Sequence, residues 1–365
     1  MKPFSLLIKP SSGDCNLSCE YCFYVNKGLY PEDKVHRMSK NVLEKLVQSY
    51  CSIEQTQYIF AWQGGEPSIM GLDFFKKVTD LQIKHAKPGS VISNGFQTNA
   101  TLIDDNFAKH FAKYNFLVGV SLDGPPDIHN KYRKDKNNNG TFESVMKGIK
   151  CLQENKVEFN ILILVNSFNV SEAKRVYGFL SENNFFYQQY IPCVEFDEHS
   201  KLQSFSITGQ QWGKFLIDLF NEWLNDDTDR VYIRNFYEIL HVLLHREPSV
   251  CYMQHNCCQY FVVEYNGDVY PCDFFVGNKY KLGNIMTDSW EKILQSSTYK
   301  KFGNQKSMWN IKCKTCEFLS FCAGDCLKFR LYDNNSNPQQ LSWLCEGWSM
   351  FYKYALPKFR HKYMV

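Results

Sequence analysis

Gly13-Asp14-Cys15-Asn16-Leu17-Ser18-Cys19-Glu20-Tyr21-Cys22-Phe23-Tyr24 sets three cysteines at C-x3-C-x2-C spacing just past a short apolar strand expected over 5–8. Their thiols therefore converge in the loop at that strand's C-terminal end. Three ligands are one short of a closed structural zinc site and odd for a disulfide framework, but they suit an iron–sulfur cluster that keeps one iron open for chemistry.

Downstream of this loop, Ser39 is placed as an N-cap before Leu43, Leu46, Val47 and Tyr50 at helical spacing. Tyr58-Ile59-Phe60-Ala61-Trp62 then reads as a buried strand ending in Gln63-Gly64-Gly65-Glu66-Pro67. The alternation continues with helices over 74–85, 104–114, 141–155 and 171–183 and strands over 91–97, 116–122, 159–165 and 187–194. Six strands separated by helices, several ending in polar or Gly-rich loops, predict parallel βα units curled into a partial barrel, with chemistry at the C-terminal strand ends. Periodicity alone leaves open a full eight-unit barrel, a six-unit open one or a flat doubly wound sheet. The segment 210–224 is amphipathic and 236–245 strongly apolar, a bridge between two domains expected at 1–232 and 233–365.

From Cys251 the chain changes character. Residues 260–270 read as a hairpin with Asn266-Gly267 in a type I′ turn. Beyond it the sequence is loop-rich and needs metal staples to fold well. Cys251, Cys257, Cys272, Cys313, Cys316, Cys322, Cys326 and Cys345 suffice for two fully ligated 4Fe-4S clusters, the arrangement suited to electron transfer. A zinc ribbon on Cys313, Cys316, Cys322 and Cys326 is not excluded by spacing. Cys51, Cys151 and Cys193 fall in helix or strand patterns and read as buried small apolar residues.

Forty-one Lys and Arg against 38 Asp and Glu leave the 365-residue chain at +3, too near balance to argue for nucleic acid or a membrane surface as partner. No secretory signal pattern follows Met1, and no apolar run is long enough to span a bilayer, so a cytoplasmic protein is expected. Fifteen cysteines in such a reducing compartment point to metal. Monomer is the default oligomeric state.

The three-cysteine loop, with aromatic Tyr21 before its third cysteine, resembles the signature of radical S-adenosylmethionine (SAM) enzymes, whose 4Fe-4S cluster binds SAM at its open iron. That resemblance implies the six-unit partial (β/α)6 barrel. It also implies SAM contacts from Tyr21, from Gly65 in the Gly-Gly-Glu-Pro turn, and from Ser121, Arg133 and Val194. The C-terminal cysteines resemble a SPASM domain, which implies one auxiliary cluster on Cys251, Cys257, Cys272 and Cys326 and another on Cys313, Cys316, Cys322 and Cys345. Cys258 adjoins Cys257, and the resemblance does not say which faces iron, although spacing from Cys251 favours Cys257.

Leu6 to Pro10, Cys22-Phe23-Tyr24, Gln63 to Pro67, Gln97-Thr98-Asn99, Ser121 to Pro125, Val157 to Ile161 and Val269 to Phe274 together resemble the anaerobic sulfatase-maturating enzymes over nearly the whole chain. The resemblance implies oxidation of a Cys or Ser, in an unfolded sulfatase segment carrying Cys/Ser-x-Pro/Ala-x-Arg, to Cα-formylglycine. A 5′-deoxyadenosyl radical would take the Cβ hydrogen, an auxiliary cluster the second electron, and Asp273 the proton. Tyr24 and Gln63 are candidate substrate contacts, and a ferredoxin or flavodoxin is the expected electron donor. A peptide-crosslinking SPASM maturase, a non-catalytic iron–sulfur carrier and a zinc protein are the competing readings. The first strand starts too near Met1 to leave room for the leader-binding domain that crosslinking maturases often carry.

Overall fold

A computed structural model describes residues 3–24, 35–226, 228–332 and 337–364. Along the chain run β1 (Ser5–Lys9), α1 (Lys40–Cys51), β2 (Gln57–Trp62), α2 (Leu72–His85), β3 (Val91–Thr98), α3 (Asp105–Lys113), β4 (Leu117–Ser121), α4 (Pro126–Tyr132) and α5 (Phe142–Glu154). There follow β5 (Phe159–Val165), α6 (Ala173–Glu182), β6 (Tyr187–Pro192), α7 (Gly209–Asp226), β7 (Tyr232–Ile233) and α8 (Arg234–Leu243). The C-terminal part adds β8 (Tyr260–Glu264), β9 (Asp268–Tyr270), β10 (Gly283–Asn284), α9 (Trp290–Gln295), α10 (Ser297–Gln305), α11 (Ile311–Lys314), α12 (Leu319–Cys322) and α13 (Cys345–Tyr363). The six expected strands are β1 to β6.

The chain forms two compact units. One takes Met1–Ser121, Arg133–Phe159 and Cys258–Gly303; the other takes Leu122–Tyr132, Asn160–Cys257 and Asn304–Val365. This partition differs from a single boundary at 232/233 because β8 pairs in parallel with β1 and draws its neighbours into the first unit.

In the first unit the strand order is β10-β9-β8-β1-β2-β3-β4, parallel from β8 to β4 and antiparallel at β9 and β10. The register Leu6↔Phe60 and Ile8↔Trp62 lines up large apolar side chains on one face, all essentially inaccessible to solvent. Helix α1 buries Val42, Leu43, Leu46, Val47 and Tyr50, and the Ser39 hydroxyl accepts the Val42 N–H as its cap. Buried polar groups on this face are paired: the Trp62 indole and the Gln82 amide both donate to Asn94 Oδ1, at 3.0 and 2.9 Å.

The β8–β9 hairpin departs from the expected two-residue turn. Its loop has three residues, 265–267; the Gly267 N–H donates to Glu264 O (2.9 Å), and Gly267 alone in the loop has positive φ, at 87°. A type I′ turn needs positive φ at both central residues, so the third loop position takes the glycine instead.

In the second unit β5, β6 and β7 are parallel neighbours. Helices α7 and α13 cross where Gly209, Gly213 and Gly347 bring backbone against backbone: a Cβ on Gly347 would lie 2.1 Å from Gly209 O. Cys51 and Cys193 are buried, as expected; Cys151 is only half-buried on α5.

Candidate active site

The cysteine loop leaves β1 through a tight reversal, with Ser12 at φ 51° and Ser12 N bonded to Lys9 O. It is then stitched to the turn after β2. Gly65 N donates to Ser12 O (2.8 Å) and Glu66 N to Asp14 O (2.9 Å). A Cβ on Gly65 would sit 2.1 Å from Asp14 O, so glycine is required here by the cysteine loop itself. Glu66 is fully buried and accepts from Ser68 N, the Thr98 hydroxyl and Asn99 N at 2.7–3.0 Å, tying the ends of β2 and β3 together. Burial raises its carboxyl pKa against the pull of those donors.

Cys15 Sγ accepts from Leu17 N (3.3 Å) and from the Asn99 amide (3.6 Å), donors suited to an anionic sulfur. Burial pushes the free Cys15 thiol up to about 12, so a metal must displace its proton to bind. Asp14 anchors the loop from the other side. It accepts from His36 N, faces His36 Nδ1 and accepts from Arg37. Partial burial works to raise its pKa, but these bonds hold the carboxyl below its ordinary value.

Beside this loop lies a buried polar chain. Lys9 and Glu264 are register partners on β1 and β8, and their side chains pair at 2.7 Å. Lys9 Nζ also lies 3.4 Å from Asp273 Oδ1 and 4.7 Å from the centre of the Tyr24 ring. The Tyr24 hydroxyl donates to Asp273 Oδ2, and Gln63 Nε2 donates to the Tyr24 hydroxyl (3.3 Å). Burial alone would lower the Lys9 pKa, yet Asp273 and Glu264 overcome it and hold the ammonium above its ordinary value. Burial, then the Asp273 charge, raises Tyr24 far enough to keep it a phenol.

Of the residues expected to meet SAM, Arg133 stacks its guanidinium 5.5 Å from the Tyr21 ring centre, and Ser121, at the end of β4, accepts from Gln97 Nε2 (3.2 Å). Gly65 stands at the cysteine loop as described. Val194 is buried in the second unit.

Cys313, Cys316, Cys322 and Cys345 line one pocket of about 350 Å³ in the second unit, with Phe318, Asp325 and Trp348. Burial pushes Cys322 to about 12 and Cys345 to about 11. Among the described residues no group of three or more His, Cys, Asp or Glu side chains is arranged to hold a single metal ion. Four thiols around a roomy pocket fit a cluster better than one tetrahedral ion.

A model of the Radical SAM superfamily matches residues 10–180, and one of an iron–sulfur cluster-binding domain, SPASM, matches 251–317. The serine-type anaerobic sulfatase-maturating enzyme of Bacteroides thetaiotaomicron is 37% identical over 98% of this chain and 90% of its own. The cysteine-type enzyme of Clostridium perfringens is 37% identical over 98% of both chains. This chain belongs to the anaerobic sulfatase-maturating enzymes. The solved structure of native anSMEcpe with bound AdoMet and Cp18Cys peptide, also 37% identical, covers 99% of each chain with a TM-score of 0.92. The fold is accordingly the radical SAM partial barrel with a SPASM domain, and the cofactors of this sulfatase-maturating enzyme are SAM and three 4Fe-4S clusters. Members of the family are radical SAM oxidoreductases that generate formylglycine.

Lys9, Glu264 and Asn99 were not singled out from the sequence. A lone charge closing each of two apolar strands, Leu6-Leu7-Ile8-Lys9 and Phe261-Val262-Val263-Glu264, is the signal that could have found the ion pair.

Proposed function

We propose that this chain oxidises a Cys or Ser side chain, within Cys/Ser-x-Pro/Ala-x-Arg of an unfolded sulfatase segment, to Cα-formylglycine, with Asp273 accepting the thiol or hydroxyl proton. The observation that carries the base is the placement of Asp273 itself, 4% exposed and held at one oxygen by Tyr24 and at the other by Lys9. When bound on Cys15, Cys19 and Cys22 and at the auxiliary sites, SAM and the clusters supply removal of one Cβ hydrogen atom and one further electron. Loss of the proton completes the two-electron oxidation. Asp273 receives it in a pocket where one ammonium serves two carboxylates, so the added proton leaves a balanced Lys9–Glu264 pair. Tyr24 aims the carboxylate, and Gln63 holds the Tyr24 hydroxyl, so both act on Asp273 as well as facing substrate.

Tyr21, Gly65, Ser121, Arg133 and Val194 are assigned to SAM; the Arg133–Tyr21 stack supports the first and fourth. One auxiliary cluster is assigned to Cys251, Cys257, Cys272 and Cys326, the other to Cys313, Cys316, Cys322 and Cys345. Cys257 is preferred to Cys258 because the Cys258 thiol donates to Tyr299 O (3.3 Å), a bond that keeps its proton. A cytoplasmic monomer reduced by a ferredoxin or flavodoxin completes the reading. Among the described residues no helix is long and apolar enough to cross a membrane.

The test is anoxic turnover of Cys and Ser versions of a motif peptide by the reconstituted enzyme and its Asp273→Asn variant. Formylglycine is expected from wild type and about 100-fold less from the variant, while SAM cleavage continues. Undiminished product in Asp273→Asn would exclude it as the base.

A further inference from the structure

Lys306 is inaccessible to solvent, and its three hydrogen bonds all go to main-chain carbonyls: Tyr252 O (2.9 Å), Ala323 O (2.7 Å) and Asp325 O (2.8 Å). Three acceptors call for three N–H donors, which the ammonium has and the neutral amine lacks. Burial, reinforced by Arg330, holds its pKa below the ordinary lysine value, opposed by Cys257, Asp325 and Cys326. The three carbonyls belong to the segments that carry the auxiliary cysteines. Tyr252 follows Cys251, and Ala323 and Asp325 lie between Cys322 and Cys326.

The second segment is strained. Ala323, Gly324 and Asp325 all have positive φ, at 46°, 74° and 62°, although only one is glycine. That conformation turns the carbonyls of 323 and 325 onto the ammonium. Arg330, 1% exposed, repeats the pattern: its guanidinium bonds Lys306 O (2.9 Å), Gln305 O (3.3 Å) and Met308 O (3.4 Å), and its buried Nε has no partner. Asp325 is buried too, but its carboxylate accepts from Ser342 Oγ (2.6 Å) and Cys326 N (2.7 Å). Two buried cations thus face one carboxylate beside seven cysteines of the second unit, an excess of positive charge that uncharged surroundings would not tolerate.

We propose that Lys306, backed by Arg330, is a buried cationic clamp that fixes the ligand-bearing segments of both auxiliary clusters and raises their reduction potential. The proposal rests on the assignment of those cysteines to clusters. A cluster with four thiolates is net negative and more so when reduced, so a fixed cation in a low-dielectric setting favours the reduced form. Such a cluster accepts the electron that the substrate releases. Lys306 acts through the clusters and the loops that hold them, as a positioning residue.

The experiment uses the full chain with Cys15, Cys19 and Cys22 changed to Ala, so that only the auxiliary clusters titrate. Iron content and EPR-monitored midpoint potential are compared with and without Lys306→Gln. The one-electron reduction constant is expected to fall at least tenfold, a shift of about 59 mV to more negative potential, or auxiliary iron to be lost outright. Iron and potential both unchanged would overturn the proposal. Where Lys306→Gln gives no soluble protein, Arg330→Gln takes its place, with a negative shift expected and an unchanged potential again fatal. A parent chain that binds no iron–sulfur overturns the cluster assignment beneath the proposal, a result distinct from failure of the lysine's role.

Discussion

Lys9 lies between two carboxylates in a site nearly closed to water, and its loss has consequences beyond one missing contact. Lys9→Met strands Glu264 and Asp273 as buried charges and is expected to destabilise the first unit by about 3–5 kcal/mol. Lys9→Met with Glu264→Gln removes one of those stranded charges and should recover part of that loss in urea unfolding. The pH dependence has a definite sign. The folded Lys9 pKa lies above its ordinary 10.5, so the stability it contributes is complete below 10.5 and is lost as pH rises through the folded value. Wild type should therefore lose more stability than the double variant between neutral and strongly alkaline pH. At this scale the sequence was unevenly informative. Cysteine spacing exposed the metal ligands, and Asp273 was reachable through its neighbour Cys272, but the Lys9–Glu264 pair exists only because β8 lies beside β1, a pairing between residues far apart in the chain.

At the scale of elements, backbone approach sets the strictest limits. Gly65→Ala drives a Cβ into Asp14 O and should displace the loop carrying Cys15, Cys19 and Cys22. About four of the roughly twelve irons should be lost and SAM cleavage with them, while auxiliary iron stays. Retention of all the iron would show that the loop can shift without releasing its cluster. Gly347→Ala acts where α13 meets α7 and should cost about 1–3 kcal/mol of stability through overpacking, measured by thermal unfolding of the apo and holo chains. The β/α alternation was legible because each strand and helix carries its own period. The loop of the β8–β9 hairpin was not: Asn-Gly favours a two-residue turn locally, and the three-residue loop is fixed by pairing on both sides, β8 to β1 and β9 to β10.

At the scale of the whole molecule, the chain interleaves its units, and residues 258–303 bring Cys258, Cys272, Glu264 and Asp273 into the unit that holds Cys15, Cys19 and Cys22. Composition pointed instead to a boundary at 232/233, because cysteine density and loss of helical pattern change there while strand pairing does not follow composition. The interleaving puts the proposed base on the same compact unit as the three-cysteine loop, so chemistry at a substrate Cβ and proton removal share one framework. The most direct measurement is turnover of a Cys-x-Pro-x-Arg peptide deuterated at the cysteine Cβ, with 5′-deoxyadenosine and peptide both read by mass spectrometry. The account predicts deuterium in 5′-deoxyadenosine together with a formylglycine peptide; unlabelled 5′-deoxyadenosine beside an intact peptide would contradict it.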